Sequence, residues 1–147
     1  MPMSPKYSDH LEKLIALVTH LAMTDWSMRT PPNLAKALSI DESEIQTVLD
    51  KYKGLFRKSK KTSKKSGKHF YTLQIRYARQ WLEERLDDDE GEKKPPLEAE
   101  YLTTLLNFVA HKATEEKNQN LSLVTAWIAA GASLLVAVIA IVFGRGG

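Results

Sequence analysis

SIDESEIQTVLDKYKGLFRKS, residues 39–59, and KHFYTLQI, residues 68–75, decide the fold. Asp41 stands where an N-cap is needed, its carboxylate placed to accept from the free amides of a first helical turn. Glu44 occupies the capping-box position, and both acids suit the helix dipole. Ile45, Val48, Leu49 and Tyr52 then recur at helical spacing, and Gly54 offers a left-handed stop. Leu55 and Phe56 open a strand, a basic loop over 57–68 follows with Gly67 near its close, and Phe70, Leu73 and Ile75 mark a returning strand. A helix therefore runs straight into a hairpin.

Upstream, Ser8 and Asp9 precede Leu11, Leu14, Ile15, Val18, Leu21 and Ala22, whose spacing predicts a helix over 9–23 with one buried stripe. Asp25-Trp26-Ser27 breaks it, and Arg29-Thr30-Pro31-Pro32 supplies prolines suited to a helix entry. A short helix over 33–38 follows, with Leu34, Ala35 and Leu38 inward and a turn at Ser39-Ile40. Helix, short helix, helix and basic hairpin, over about 9–79, resemble the winged helix-turn-helix superfamily of DNA-binding domains. The resemblance implies an α+β winged helix of three helices plus a β-hairpin wing. It implies further that the third helix enters the major groove while the wing follows a neighbouring backbone. Carried to this chain, Gln46 and Thr47 would meet base edges and Lys51 a phosphate. Glu42, Glu44 and Asp50 place negative charge on or near that helix face, and the helix holds no arginine, so the wing is expected to dominate binding.

That wing carries Arg57, Lys58, Lys60, Lys61, Lys64, Lys65 and Lys68, spaced by Ser, Thr and Gly. Point charges on a flexible comb suit phosphate contact by counterion release, which is nearly blind to sequence. Anionic lipid headgroups are the alternative ligand for the same comb. From residue 51 to 79 there are eleven Lys and Arg and no acid, whereas 80–92 holds seven acids against one Arg, so the basic surface is a local feature. Phe56, Phe70 and Tyr71 are expected to form the hairpin core, and Trp26 and Trp81 to be packing residues.

Downstream, residues 76–86 read as a helix with Tyr77, Trp81 and Leu82 over the hairpin, and DDDEGEKKPP, 87–96, as a linker. An amphipathic helix is expected from 97, with Leu97, Tyr101, Leu105, Phe108 and Val109 on one side. Residues 121–143 carry no charge and, as a helix at ~1.5 Å per residue, reach roughly 34 Å. This length predicts a transmembrane anchor. Basic groups before the span favour a cytoplasmic N-terminal side, and MPMSPKYSDH does not resemble a secretory signal. Trp127 suits a membrane interface. Ala126, Ala130, Ser133, Ala137 and Ala140 fall on one helix face, suggesting self-association in the membrane. The expected organisation is a winged-helix domain 1–86, a linker 87–96, a juxtamembrane helix 97–120, a span 121–143 and a tail 144–147.

The chain has no cysteine, and His10, His20, His69 and His111 are scattered without a metal-ligand spacing. No catalytic residue, metal or cofactor is expected. The composite expectation is a single-pass, membrane-tethered protein that binds nucleic acid, most simply duplex DNA, through its wing. The alternative is a membrane-anchored oligomeric adaptor whose winged helix takes a protein partner, or whose wing takes anionic lipid.

Overall fold

Leu14, Leu17, Val18, Leu21 and Ala22 lie on one face of α1 (Leu11–Met23) and are fully buried, so the apolar stripe of the first helix is the centre of the core. The computed structural model describes residues 5–83 and 95–143; the side chains of 79–83, 127 and 130–143 lie outside that description. A 3-10 turn (Tyr7–His10) precedes α1; α2 (Pro31–Leu38) and α3 (Glu42–Lys51) follow, then β1 (Phe56–Thr62), β2 (His69–Leu73), α4 (Gln74–Glu83) and α5 (Ala99–Phe143).

Thr30 precedes a proline and is extended, at φ −87° and ψ 154°. Pro31 and Pro32 then open α2 two residues earlier than the spacing predicts, and Ser39 closes it at φ 54°. Asp41 caps α3 as expected, its Oδ1 accepting from the Ser43 amide at 2.7 Å. The Glu44 carboxylate does not turn back to close a capping box; it meets Lys13 of α1 at 2.6 Å. Gly54 is not the stop, since Gly67 is the glycine with positive φ among the described residues. Tyr52 ends the helix instead: its carbonyl accepts from the amides of Leu55 and Phe56 while its ring buries against Tyr7 and His10 at 4.9 and 5.8 Å. Burial first, then the nearby carboxylates of Glu116 and Asp9, push the Tyr52 phenol up to about 12.

The hairpin also has a third partner. Arg29 and Tyr71 exchange both backbone hydrogen bonds, at 2.9 and 2.8 Å, so the extended residues before α2 add a one-residue strand beside β2. Phe56 and Tyr71 join the core as expected, with Leu73 beside them, whereas Phe70 is only half-buried and lies outside the core cluster. Trp26 does not pack inward; it is 48% exposed, with the Arg29 guanidinium 6.0 Å from its ring.

The first half of α5 closes the core. Val109 and Ala113, with Leu97 just before the helix, are buried, and Leu102, Leu105 and Leu106 pack beside them against α1 and the 3-10 turn. This stripe is rotated from the predicted one: Tyr101 and Phe108 remain 39% and 44% exposed, Phe108 lying edge-on to Tyr7 at 5.9 Å. Glu116 accepts from the backbone amides of Tyr7 and Ser8 at 3.0 and 2.8 Å and so ties α5 to the N-terminal turn. Burial alone raises its pKa, but the two amides outweigh this and hold the carboxyl below its ordinary value. A depressed carboxyl adds stability that is fully present above the unfolded value of about 4.5 and is lost as pH falls through the folded one. Glu116→Ala should therefore cost about 1 kcal/mol near neutrality and progressively less toward pH 3, read from urea unfolding at each pH. An equal loss at both pH values would contradict the charged cap.

The expected membrane anchor is overturned. Among the described residues no helix is long and apolar enough to cross a membrane. The prediction treated 121–143 as an element of its own after a polar break at Asn118-Gln119-Asn120. Those three residues are helical, and α5 runs unbroken from Ala99 through Lys112, Glu115, Glu116 and Lys117 into the apolar run. Tail anchor, single-pass topology, cytoplasmic orientation, membrane partner and membrane-tethered role are all withdrawn with it. Ala126 is exposed, whereas the side chains of Trp127, Ala130, Ser133, Ala137 and Ala140 lie outside the described residues. The linker proposed at 87–96 falls almost wholly outside them too.

Candidate nucleic-acid interface

The wing is built more firmly than a loop. Strand β1 continues to Thr62, so Arg57, Lys58, Lys60 and Lys61 project from a strand and only 63–68 form the turn. The serines between the lysines form its frame. Ser63 donates its amide to the Lys68 carbonyl at 2.9 Å and accepts from the Gly67 amide at 2.8 Å, Gly67 taking φ +66°. Ser63 Oγ accepts from the Lys65 amide at 3.3 Å, and Ser59 Oγ from that of Lys61 at 3.1 Å. Lys58 pairs with Tyr71 and Thr62 with His69, so four residues of β1 advance against two of β2 and the strand bulges. His69 Nδ1 lies 2.9 Å from the Ser59 carbonyl inside that bulge. Bulges bend and twist a strand, and this one falls in the half that carries Lys60 and Lys61. All seven wing cations are exposed.

The helix expected to read bases is occupied. Gln46 Nε2 donates to Asp50 Oδ2 and to the Tyr71 hydroxyl, both at 2.7 Å, and that hydroxyl donates to Asp50 Oδ1 at 2.8 Å. Burial, followed by the Asp50 hydrogen bond, raises the Tyr71 pKa. Thr47 is exposed, but its Oγ1 donates back to the Ser43 carbonyl at 2.8 Å. Lys51 Nζ lies 3.4 Å from His10 Nε2, on the N-terminal side of the molecule. Glu42 faces Lys68 of the wing at 3.6 Å, so each of the three acids that oppose phosphate on α3 is engaged. Of the ten expected binding residues, the seven on the wing are exposed together, while Gln46, Thr47 and Lys51 each make a contact within the chain. The Gln46–Asp50–Tyr71 triad escaped the sequence because its third member arrives from β2, 21 residues beyond Asp50.

Where wing, α3 and α4 meet, a half-open cleft of about 600 Å³ is lined by Met28, Phe56, Tyr71 and Tyr77 and rimmed by Lys53, Arg57, Lys58, Lys60 and Lys61, with Asp50 on its wall. The Arg57 guanidinium lies over the Tyr77 ring at 3.9 Å, and Lys58 Nζ is 5.9 Å from the Tyr71 ring. No protein-family model, curated protein or solved structure matches this chain. Its helix and hairpin arrangement nonetheless resembles a winged helix, with Arg29 supplying the short first strand of the sheet. Among the described residues no group of His, Asp and Glu is placed to hold a metal ion.

Proposed function

We propose that this protein binds nucleic acid, most simply duplex DNA, by gripping the phosphate backbone with its wing and without reading sequence through α3. The observation that carries the proposal is the framed hairpin on which Arg57, Lys58, Lys60, Lys61, Lys64, Lys65 and Lys68 are all exposed, in a stretch without a single acid. Cations on an ordered strand lose less freedom on binding than cations on a loose loop, so more of the counterion release appears as affinity. The commitment of Gln46 and Asp50 to Tyr71 supports the absence of base readout, because freeing either would break a part-buried network.

The test is a salt titration of the full chain with a short duplex. Log K should fall against log salt by about 0.9 per phosphate met, hence by roughly 4.5 to 6 for most of the wing, and scrambling the sequence should leave affinity within about twofold. No binding near 50 mM salt would end this proposal and favour a protein-partner role for the same domain, to which the occupied α3 is equally suited.

A further inference from the structure

We infer that the cleft between wing, α3 and α4 takes an unpaired nucleobase, so that the protein favours nucleic acid with a single-stranded extension over blunt duplex. This rests on the backbone grip proposed above and adds a second contact to it. The cleft combines three features that few ligands satisfy together. Its rim is cationic, through Lys53, Arg57, Lys58, Lys60 and Lys61, and suits phosphate. Its wall bears one carboxylate, Asp50, which repels phosphate but accepts from amino groups. Each Asp50 oxygen already accepts one hydrogen bond, from Tyr71 or Gln46, which orients the carboxylate and leaves further lone pairs for a ligand.

The third feature is a planar surface. Arg57 is exposed, lines the cleft and has its guanidinium over the Tyr77 ring at 3.9 Å, a contact that restrains this planar group at the cleft. A guanidinium stacked on one side by an aromatic ring is a platform for a base on the other, as arginine planes and aromatic rings both are in single-strand recognition. A planar ring with amino donors, attached to a phosphate, fits all three features. A base inside a duplex cannot stack on that guanidinium, because both of its faces are already covered by its neighbours. The wing would hold the backbone while the first unpaired nucleotide turns into the cleft.

Affinities of the full chain for a blunt duplex and for the same duplex with a short single-stranded tail test this by fluorescence anisotropy at one salt concentration. The tailed duplex should bind about tenfold tighter, the lower part of the range for one stacked base. Tyr77→Leu removes the ring, and Arg57→Lys keeps the charge while removing the plane; each should bring the tailed-to-blunt ratio close to one. Because each variant is read as its own ratio, changes in overall charge or stability cancel. A wild-type ratio of one with blunt duplex still bound overturns the cleft and leaves the wing grip standing. A tenfold ratio that survives in both variants places the base elsewhere and equally overturns it. Failure to bind either duplex removes the wing grip and the cleft together.

Discussion

Arg76→Ala should destabilise the fold by about 3–5 kcal/mol and lower the thermal midpoint by more than about 10 °C. Arg76 is 2% exposed, a position that arginine almost never takes unless it is paired. Nη1 donates to the carbonyls of Leu21 and Thr24, both at 2.7 Å, and Nη2 to that of Pro95 at 3.1 Å. The first two belong to the end of α1, whose last carbonyls have no partner within the helix, and a cation there also meets the negative end of the helix dipole. Burial lowers the Arg76 pKa and Asp25 counteracts this, but a guanidinium keeps its charge throughout the physiological range. Truncation leaves buried acceptors without donors and opens a cavity beneath α4.

The same residue fixes how α5 enters. The Pro95 carbonyl is held by Arg76, and two residues later the Leu97 amide donates to the Ala22 carbonyl at 2.8 Å. Arg76→Met, which keeps volume but no donors, should still cost about 2–3 kcal/mol, separating lost hydrogen bonds from lost packing. Hydrogen exchange should then quicken first at Leu97 and along the first turns of α5. A midpoint within about 3 °C of wild type for the alanine variant would show that water replaces the guanidinium without loss.

The stripes were legible and the junctions were not. Apolar spacing marked Leu14, Val18 and Leu21 on α1 and Ile45, Val48, Leu49 and Tyr52 on α3 because burial of one helix face is a local periodic property. Asp41 was legible for the same reason, since a cap acts within one turn. Gln46 and Asp50 could be placed side by side from their i, i+4 spacing. Tyr71, which hydrogen-bonds to both, comes from another element and leaves no local trace. Arg76 likewise sits among Ile75 and Tyr77 with nothing in the sequence to distinguish it from an exposed basic residue.

Two further local signals lie in the sequence. Thr30 before Pro31 forces an extended residue, and an extended residue beside a hairpin is a strand in waiting. Ser59 and Ser63, each two residues before a lysine, carry the hydroxyls that accept from those lysine amides, so the wing was more ordered than its composition suggested. The apolar run at 121–143 misled for the opposite reason. Hydropathy counts side chains in a window and sets no element boundary, whereas the helix that carries this run begins at Ala99 and packs on the core through Leu102, Leu106 and Val109.

Replacing Lys60, Lys61, Lys64 and Lys65 together by Ala should weaken duplex binding roughly 10²–10³-fold near physiological salt and flatten the salt slope by about 3 to 4. Lys60 and Lys61 stand on β1 and Lys64 and Lys65 in the turn; none contributes an apolar core contact, and the turn is framed by Ser63, Gly67 and Lys68 backbone groups that the substitutions leave in place. The variant should therefore melt within about 2 °C of wild type, which separates lost affinity from lost structure. Thr47→Ala supplies the contrast: its hydroxyl serves its own helix, so affinity and slope should move by less than about twofold. The two results together locate binding on the wing rather than on α3. If the quadruple variant keeps its slope while Thr47→Ala loses affinity, the helix is the reading head after all, and Gln46 must then leave Tyr71 when nucleic acid arrives.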